Sequence, residues 1–125
     1  MLLSLDFSSK LPIYMQIRNQ IVLGIASGEL APGEKLPTIR ALAEQSGVNM
    51  MTVSKAYAAL RQEGYITADR RGGTAVAGSP GAGELSARYR GALRIIAAEA
   101  RLAGMSEDEF AGLCRDSYMG GAENG

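Results

Sequence analysis

Six residues, Gly78-Ser79-Pro80-Gly81-Ala82-Gly83, constrain this chain more than any others. Three glycines and a proline in such a run sustain neither a helix nor a strand ladder, so residues 78–84 read as a linker. No single core runs through it. The chain is therefore expected to build a domain from residues 1–77 and a shorter helical region from residues 85–119, with 120–125 a flexible tail.

Upstream of the linker, hydrophobic spacing predicts three helices and a hairpin. The first helix is expected to open near Ser9, with Pro12 in its first turn, where a missing N–H costs nothing. Ile13, Ile17, Ile21 and Ile25 recur every fourth residue beside Tyr14 and give it one apolar face, and Gly28 ends it. Ala31-Pro32-Gly33 forms a turn, and Leu36-Pro37 leads into a short helix from Thr38 to Gln45. Asn49 caps a third helix reaching about Glu63, with Val53, Ala56, Tyr57 and Leu60 facing inward and Gly64 at its end. Two short strands, Tyr65 to Ala68 and Thr74 to Ala77, flank the hairpin tip Asp69-Arg70-Arg71-Gly72-Gly73.

Downstream, Leu85, Tyr89, Leu93 and Ile96 mark one face of a helix that stops at Gly104. Ser106 and Glu109 have capping-box spacing, and Phe110, Leu113, Cys114 and Tyr118 line the helix that follows. The fold class expected is mainly α with a small β-hairpin wing: a winged helix-turn-helix plus a C-terminal α-helical dimerisation extension.

Composition closes off several chemistries. The chain is 46% hydrophobic and 21% charged, as a globular domain is, and has no apolar run near the ~20 residues that span a bilayer. The amino terminus lacks a basic stretch and a small-residue cleavage site, so a cytoplasmic location is expected, with no membrane partner. One cysteine and no histidine leave no disulfide framework, no usual zinc site and no histidine-based triad. No metal, no cofactor and no enzymatic activity are expected. Cys114 is expected to be buried as a small hydrophobe. The net charge of zero conceals an asymmetry: residues 1–78 carry +2 and residues 79–125 carry −2. A basic domain with an acidic appendage fits a nucleic-acid partner, but the positions of the charges must decide.

Those positions converge on one arrangement. Two helices meet across Ser46-Gly47-Val48, and a hairpin with a basic tip follows, the order of a winged helix-turn-helix. The head of the third helix offers Asn49, Met50, Met51, Thr52, Ser54 and Lys55. The tip offers Arg70, Arg71, Gly72 and Gly73 at wing length, and Thr38 and Arg40 open the second helix where it would cross a DNA backbone. Adjacent methionines cannot both face the core of one helix, so one is assigned to the core edge and one to base contact. A winged helix that binds a protein partner without reading DNA is the competing reading, favoured by zero net charge, the methionine pair and a short wing.

Leu11-Pro12-Ile13-Tyr14-Met15-Gln16-Ile17 and the run from Gly28 to Ala43 resemble the GntR family of bacterial regulators, as do Gly47-Val48-Asn49, Thr52 to Tyr57 and Glu63 to Ile66. The resemblance covers about residues 10–77, and the short two-helix extension is most similar to the YtrA subfamily. It implies a homodimeric transcription factor, a repressor that binds a palindromic double-stranded DNA operator. Its DNA contacts would fall on Arg40, on Asn49 to Lys55 and on Arg70 to Gly73. Three departures bear on base preference. Relatives often have arginine near Met50 and Ser54, Pro-Asn in place of Met50-Met51, and a closing aromatic where this chain has Ala75. Direct readout is therefore expected from Asn49, Thr52 and methionine contact with thymine methyl groups, and phosphate affinity from Arg40, Lys55, Arg70 and Arg71.

Two helices of about twenty and fourteen residues are too few to enclose a pocket of ~300–1,000 Å³. They can bury their apolar stripes against the first domain as a monomer, or against a second copy. The flexible linker favours the second copy, through Leu85, Tyr89, Leu93, Ile96, Phe110 and Leu113. A small-molecule effector, if one exists, would bind at the dimer interface or the hinge.

Overall fold

A computed structural model describes residues 1, 3–69 and 71–120. The chain forms two compact units, Met1–Ala82 and Gly83–Gly125. The first contains α1 (Ile13–Ser27), β1 (Lys35–Leu36), α2 (Ile39–Ser46), α3 (Met50–Gln62), β2 (Ile66–Ala68) and β3 (Thr74–Val76). The second contains α4 (Ala87–Leu102) and α5 (Glu107–Met119).

The periodic apolar positions form the core of the first unit. Ile17 and Ile21 of α1, Leu42 of α2, Val53, Tyr57 and Leu60 of α3 and Val76 of β3 are completely or almost completely buried. Burying each such side chain contributes roughly 1.5–3 kcal/mol before entropy is counted. Ile13, Tyr14 and Ile25 pack at the edge of this core. Arg18 fastens α1 to the end of α3: its Nε donates to Glu63 Oε1 at 3.0 Å, and its guanidinium lies 5.6 Å from the Tyr65 ring centre.

The helix ends follow local chemistry. Thr38 Oγ1 accepts from the Ala41 N–H (3.0 Å) and Asn49 Oδ1 from the Thr52 N–H (2.8 Å), so each side chain caps the helix after it. α3 ends in a Schellman motif, with Gly64 N–H donating to Arg61 O and Tyr65 N–H to Leu60 O. Gly64 has φ +85°, which a side chain would strain.

Three expectations need correction. α1 begins at Ile13, because Ser9 N–H is turned back onto Asp6 O and Pro12 takes the N-cap position. Thr38 caps α2 from outside it. The hairpin is part of a three-stranded antiparallel sheet ordered β1-β3-β2, with Lys35 opposite Ala75 and Leu36 opposite Thr74. The segment before α1 is also tied down. Asp6 N–H donates to Gln16 Oε1 (2.8 Å), and Gln16 Nε2 donates to Asp6 O and Leu11 O (both 2.9 Å). Gln20 repeats the exchange with Ser4, accepting from its N–H at 2.9 Å and donating to its O at 2.6 Å. The two carboxamides, one helical turn apart, serve as the neighbouring strand that Ser4–Asp6 lacks. Leu3 and Leu5 are thereby laid against the core.

The Gly/Pro segment is divided. Gly81 N–H donates to Gly64 O at 3.2 Å, so Ser79–Ala82 belongs to the first unit. In the second unit, Ser86 caps α4 by accepting from the Tyr89 N–H, and this leaves Leu85 before the helix rather than on its face. Ser106 and Glu109 form the expected capping box, and their hydrogen bonds hold the Glu109 carboxyl below its ordinary pKa. The tail from residue 121 lies outside the described residues.

Candidate nucleic-acid interface

Three elements meet at Pro37. The strand that pairs with β3 runs through Leu36 and Pro37 directly into the Thr38 cap of α2. From α3, the Tyr57 hydroxyl donates to Pro37 O at 2.7 Å. The base of the wing, the start of α2 and the second turn of α3 are therefore fixed to one another through one short connection. Burial pushes the Tyr57 hydroxyl pKa up to about 12, so it remains a donor at any physiological pH. Arg40 lies in the first turn of α2 and is exposed.

Because Val53, Ala56, Tyr57 and Leu60 occupy the buried stripe of α3, the 3.6-residue repeat turns Met51, Ser54 and Lys55 outward. Met51 is 82% exposed. Met50, one turn before Val53, is 46% exposed. The expected core-edge place for one methionine is thus not a buried one, since the first turn of α3 projects past the core. α3 carries no carboxylate among Met50–Gln62.

Two residues expected to read bases are engaged with each other. Asn49 Oδ1 accepts from both the Thr52 N–H (2.8 Å) and the Thr52 hydroxyl (3.0 Å). Asn49 thus keeps only its Nδ2 for an outside partner in this geometry. Lys55 Nζ stands 4.2 Å above the ring centre of Tyr14 on α1, a contact between elements that no local pattern reveals.

At the wing, Gly72 and Gly73 adopt φ +87° and +92°, which closes the tip within a few residues. Gly72 N–H donates to Asp69 O and Asp69 N–H to Gly73 O, while Arg71 N–H donates to Asp69 Oδ1 at 3.4 Å. Arg71 is exposed; Arg70 lies outside the described residues. The structure adds Lys35, whose Nζ is 3.8 Å from Asp69 Oδ2. No local pattern marks Lys35, because a two-residue strand leaves no periodic signal, and only the pairing of β1 with β3 brings the lysine beside the wing.

The second unit leaves much apolar surface uncovered. α4 and α5 contact each other, yet Leu85, Leu93, Ile95, Ile96, Leu102 and Leu113 are exposed. Tyr89 and Phe110 are half-buried. Cys114 is exposed rather than buried, because two helices alone cannot cover that face of α5. The helices are also shorter than expected, at 16 and 13 residues, yet beside their connecting turn they line a cleft of about 470 Å³ bounded by Ala97, Arg101, Met105, Ser106, Glu107 and Phe110. Among the described residues, no group of His, Cys, Asp and Glu could hold a metal ion, and no helix is long and apolar enough to cross a membrane.

Residues 13–76 match the family described as bacterial regulatory proteins, gntR family. The chain is 42% identical over 73 residues to the HTH-type transcriptional repressor YtrA of Bacillus subtilis, a match covering 58% of this chain and 56% of that protein. It spans at most about 60% of the length of the curated relatives it matches first. Among solved structures, a transcriptional antiterminator from Listeria monocytogenes superposes with a TM-score of 0.83 at 30% identity, covering 100% of this chain and 98% of that one. The AraR DBD in complex with operator ORX1 superposes with a TM-score of 0.55 at 33% identity, covering 62% of this chain and 99% of that one.

Proposed function

The chain belongs to the GntR family of bacterial regulatory proteins, and we propose that it is a cytoplasmic, sequence-specific DNA-binding transcriptional repressor that occupies a palindromic operator as a homodimer. One observation carries the reading: α3 exposes Met50, Met51, Ser54 and Lys55, lacks any carboxylate, and is locked through Tyr57 and Pro37 to the wing base and to α2. Such a face can enter a major groove without repelling phosphates, and the wing can follow the flanking backbone. The similarity to an AraR DBD in complex with an operator supports the same partner.

Within that reading the roles divide. Met50, Met51 and Ser54 meet base edges, with methionine against thymine methyl groups. Arg40, Lys55, Arg70 and Arg71 supply phosphate affinity, Lys35 adds a cation at the wing base, and the Gly72-Gly73 turn lets the tip approach the backbone closely. Thr38, Asn49 and Thr52 hold the helix starts in place. The second copy covers the apolar surface of α4 and α5, since exposed patches rich in Leu and Ile mark association sites. If an effector exists, the cleft beside the α4–α5 turn offers it an apolar floor with Arg101 and Glu107 at its wall.

Selection of bound duplexes from a random pool at stated salt tests the proposal. Enriched sequences should be palindromic with half-sites ~34–36 Å apart, and binding should weaken steeply with salt. Sedimentation at micromolar concentration should show a dimer. A pool without enrichment, or binding indifferent to salt, would reassign the exposed methionines to a protein partner.

A further inference from the structure

The cations of the first unit are not equivalent. Arg18 is paired with Glu63 and Lys35 with Asp69, so each has part of its charge answered by a carboxylate. Lys55 is held differently. Among the described residues it forms no salt bridge, and its ammonium sits 4.2 Å above the Tyr14 ring centre. Tyr14 is itself half-buried against the core, so its ring is a fixed platform.

The electrostatic consequence is specific. A ring face attracts an ammonium through its quadrupole and restrains it, yet leaves the net charge undiminished. Lysine is a point charge with three donors on a flexible stem, and much of the penalty for using it against a phosphate is the loss of that flexibility. Held by Tyr14, the stem is already ordered before any anion arrives, with donors still facing solvent. The spacing on α3 adds a direction. Lys55 and Ser54 lie about 100° apart around the helix axis, so Ser54 faces one flank of the exposed stripe while Lys55 leans toward α1. An ammonium held at that flank meets the backbone at the groove's edge rather than the base edges in its centre.

We propose that Tyr14 is a positioning residue for nucleic-acid binding, orienting Lys55 as a phosphate clamp at the boundary between α1 and α3. This rests on the DNA-binding reading above and names a residue of α1 as part of the apparatus.

A double-mutant cycle on the full chain tests it, with a random-sequence duplex as the probe and affinity followed against salt. Lys55→Met should lower the slope of log affinity against log salt by about one. Tyr14→Leu should weaken binding about two- to fivefold when Lys55 is present, the strength of an exposed cation–π contact. In the Lys55→Met background the same change should do nothing. Tyr14→Phe keeps the ring and should bind as the unsubstituted chain does. Equal losses from Tyr14→Leu in both backgrounds would reduce Tyr14 to a structural part and overturn the assignment, and so would an unchanged salt slope in Lys55→Met. Thermal unfolding of each variant separates a folding defect from a binding one. If the unsubstituted chain binds no duplex at low salt, the DNA reading itself falls and takes this assignment with it. Binding with additive losses overturns this assignment alone.

Discussion

At Asn49 the oxygen that would help read an adenine already accepts two hydrogen bonds from Thr52. Bidentate recognition needs that oxygen and the amide nitrogen together, so reading a base would mean uncapping α3. Asn49→Ser keeps a capping hydroxyl and discards the Nδ2. It should preserve sequence discrimination in a competition binding assay, whereas loss of a true base contact would cost about 1–3 kcal/mol against the preferred base. Asn49→Ala, which removes the cap, should lower stability by about 1 kcal/mol. Tyr57 makes a second prediction. Its hydroxyl donates to Pro37 O, and burial raises its pKa from 10.0 to about 12. The folded value lies above the unfolded one, so the stabilisation is complete below about pH 10 and is lost as pH rises through 12. Tyr57→Phe should destabilise the first unit by about 1–2 kcal/mol at pH 7, because Pro37 O is left short of a donor. It should also decline less steeply than the unsubstituted protein between pH 10 and 12. Urea unfolding at pH 7 and pH 11 checks both, and parallel declines would show that Tyr57 does not set the alkaline limit.

The segment Ser4–Asp6 shows how an element can be held without a strand partner. Gln16 and Gln20 each make two of its hydrogen bonds, and Gln16 makes a third to Leu11 O. Gln16→Ala should therefore cost about 2–3 kcal/mol, at roughly 1 kcal/mol net for each bond, and should abolish hydrogen-exchange protection at the Asp6 amide. Retained protection there would show that Leu3 and Leu5 anchor the segment by packing alone. None of this was legible in the sequence, because a glutamine facing a backbone ten or sixteen residues away leaves no periodic trace. The same limit explains β1: Lys35–Leu36 is two residues long, set between a turn and the Pro37-Thr38 lead into α2, and only its pairing with β3 makes it a strand. The helices were legible because their apolar spacing is local, and the exposed head of α3 followed as the complement of Val53, Ala56, Tyr57 and Leu60. The start of α1 was misplaced because proline suits both the first turn and the position before it. On the candidate face, the exposure of Met51, Ser54 and Lys55 could be named in advance. The couplings, Lys55 to Tyr14 and Lys35 to Asp69, depend on which elements the fold brings side by side.

Across the whole molecule, what matters is how much chain is free between the two units. Residues 78–84 read as a tether, and seven extended residues would reach about 23–25 Å. The structure shortens it. Ser79–Ala82 belongs to the first unit, with Gly81 N–H bonded to Gly64 O beside the Tyr65 ring. α4 is already capped at Ser86, leaving Gly83–Leu85 and a reach of about 10 Å. In a homodimer on a palindrome, a short tether restricts the half-site separations that both reading heads can occupy together, and the second binding event gains from the high effective concentration that restriction creates. Gly81 controls the length. A Cβ there would stand 2.5 Å from Tyr65 Cε1, and its φ of +69° already disfavours a side chain. Gly81→Ala should therefore release Ser79–Ala82 from the ring and restore the longer tether, since the Cβ would meet only Tyr65 and no fully buried side chain. Affinity for an isolated half-site should be unchanged. Affinity for the full palindrome should fall, and operators with one or two base pairs inserted between half-sites should be bound nearly as well as the parent. A spacing preference as narrow as that of the unsubstituted chain would show that the two-helix unit, and not the tether, sets the separation.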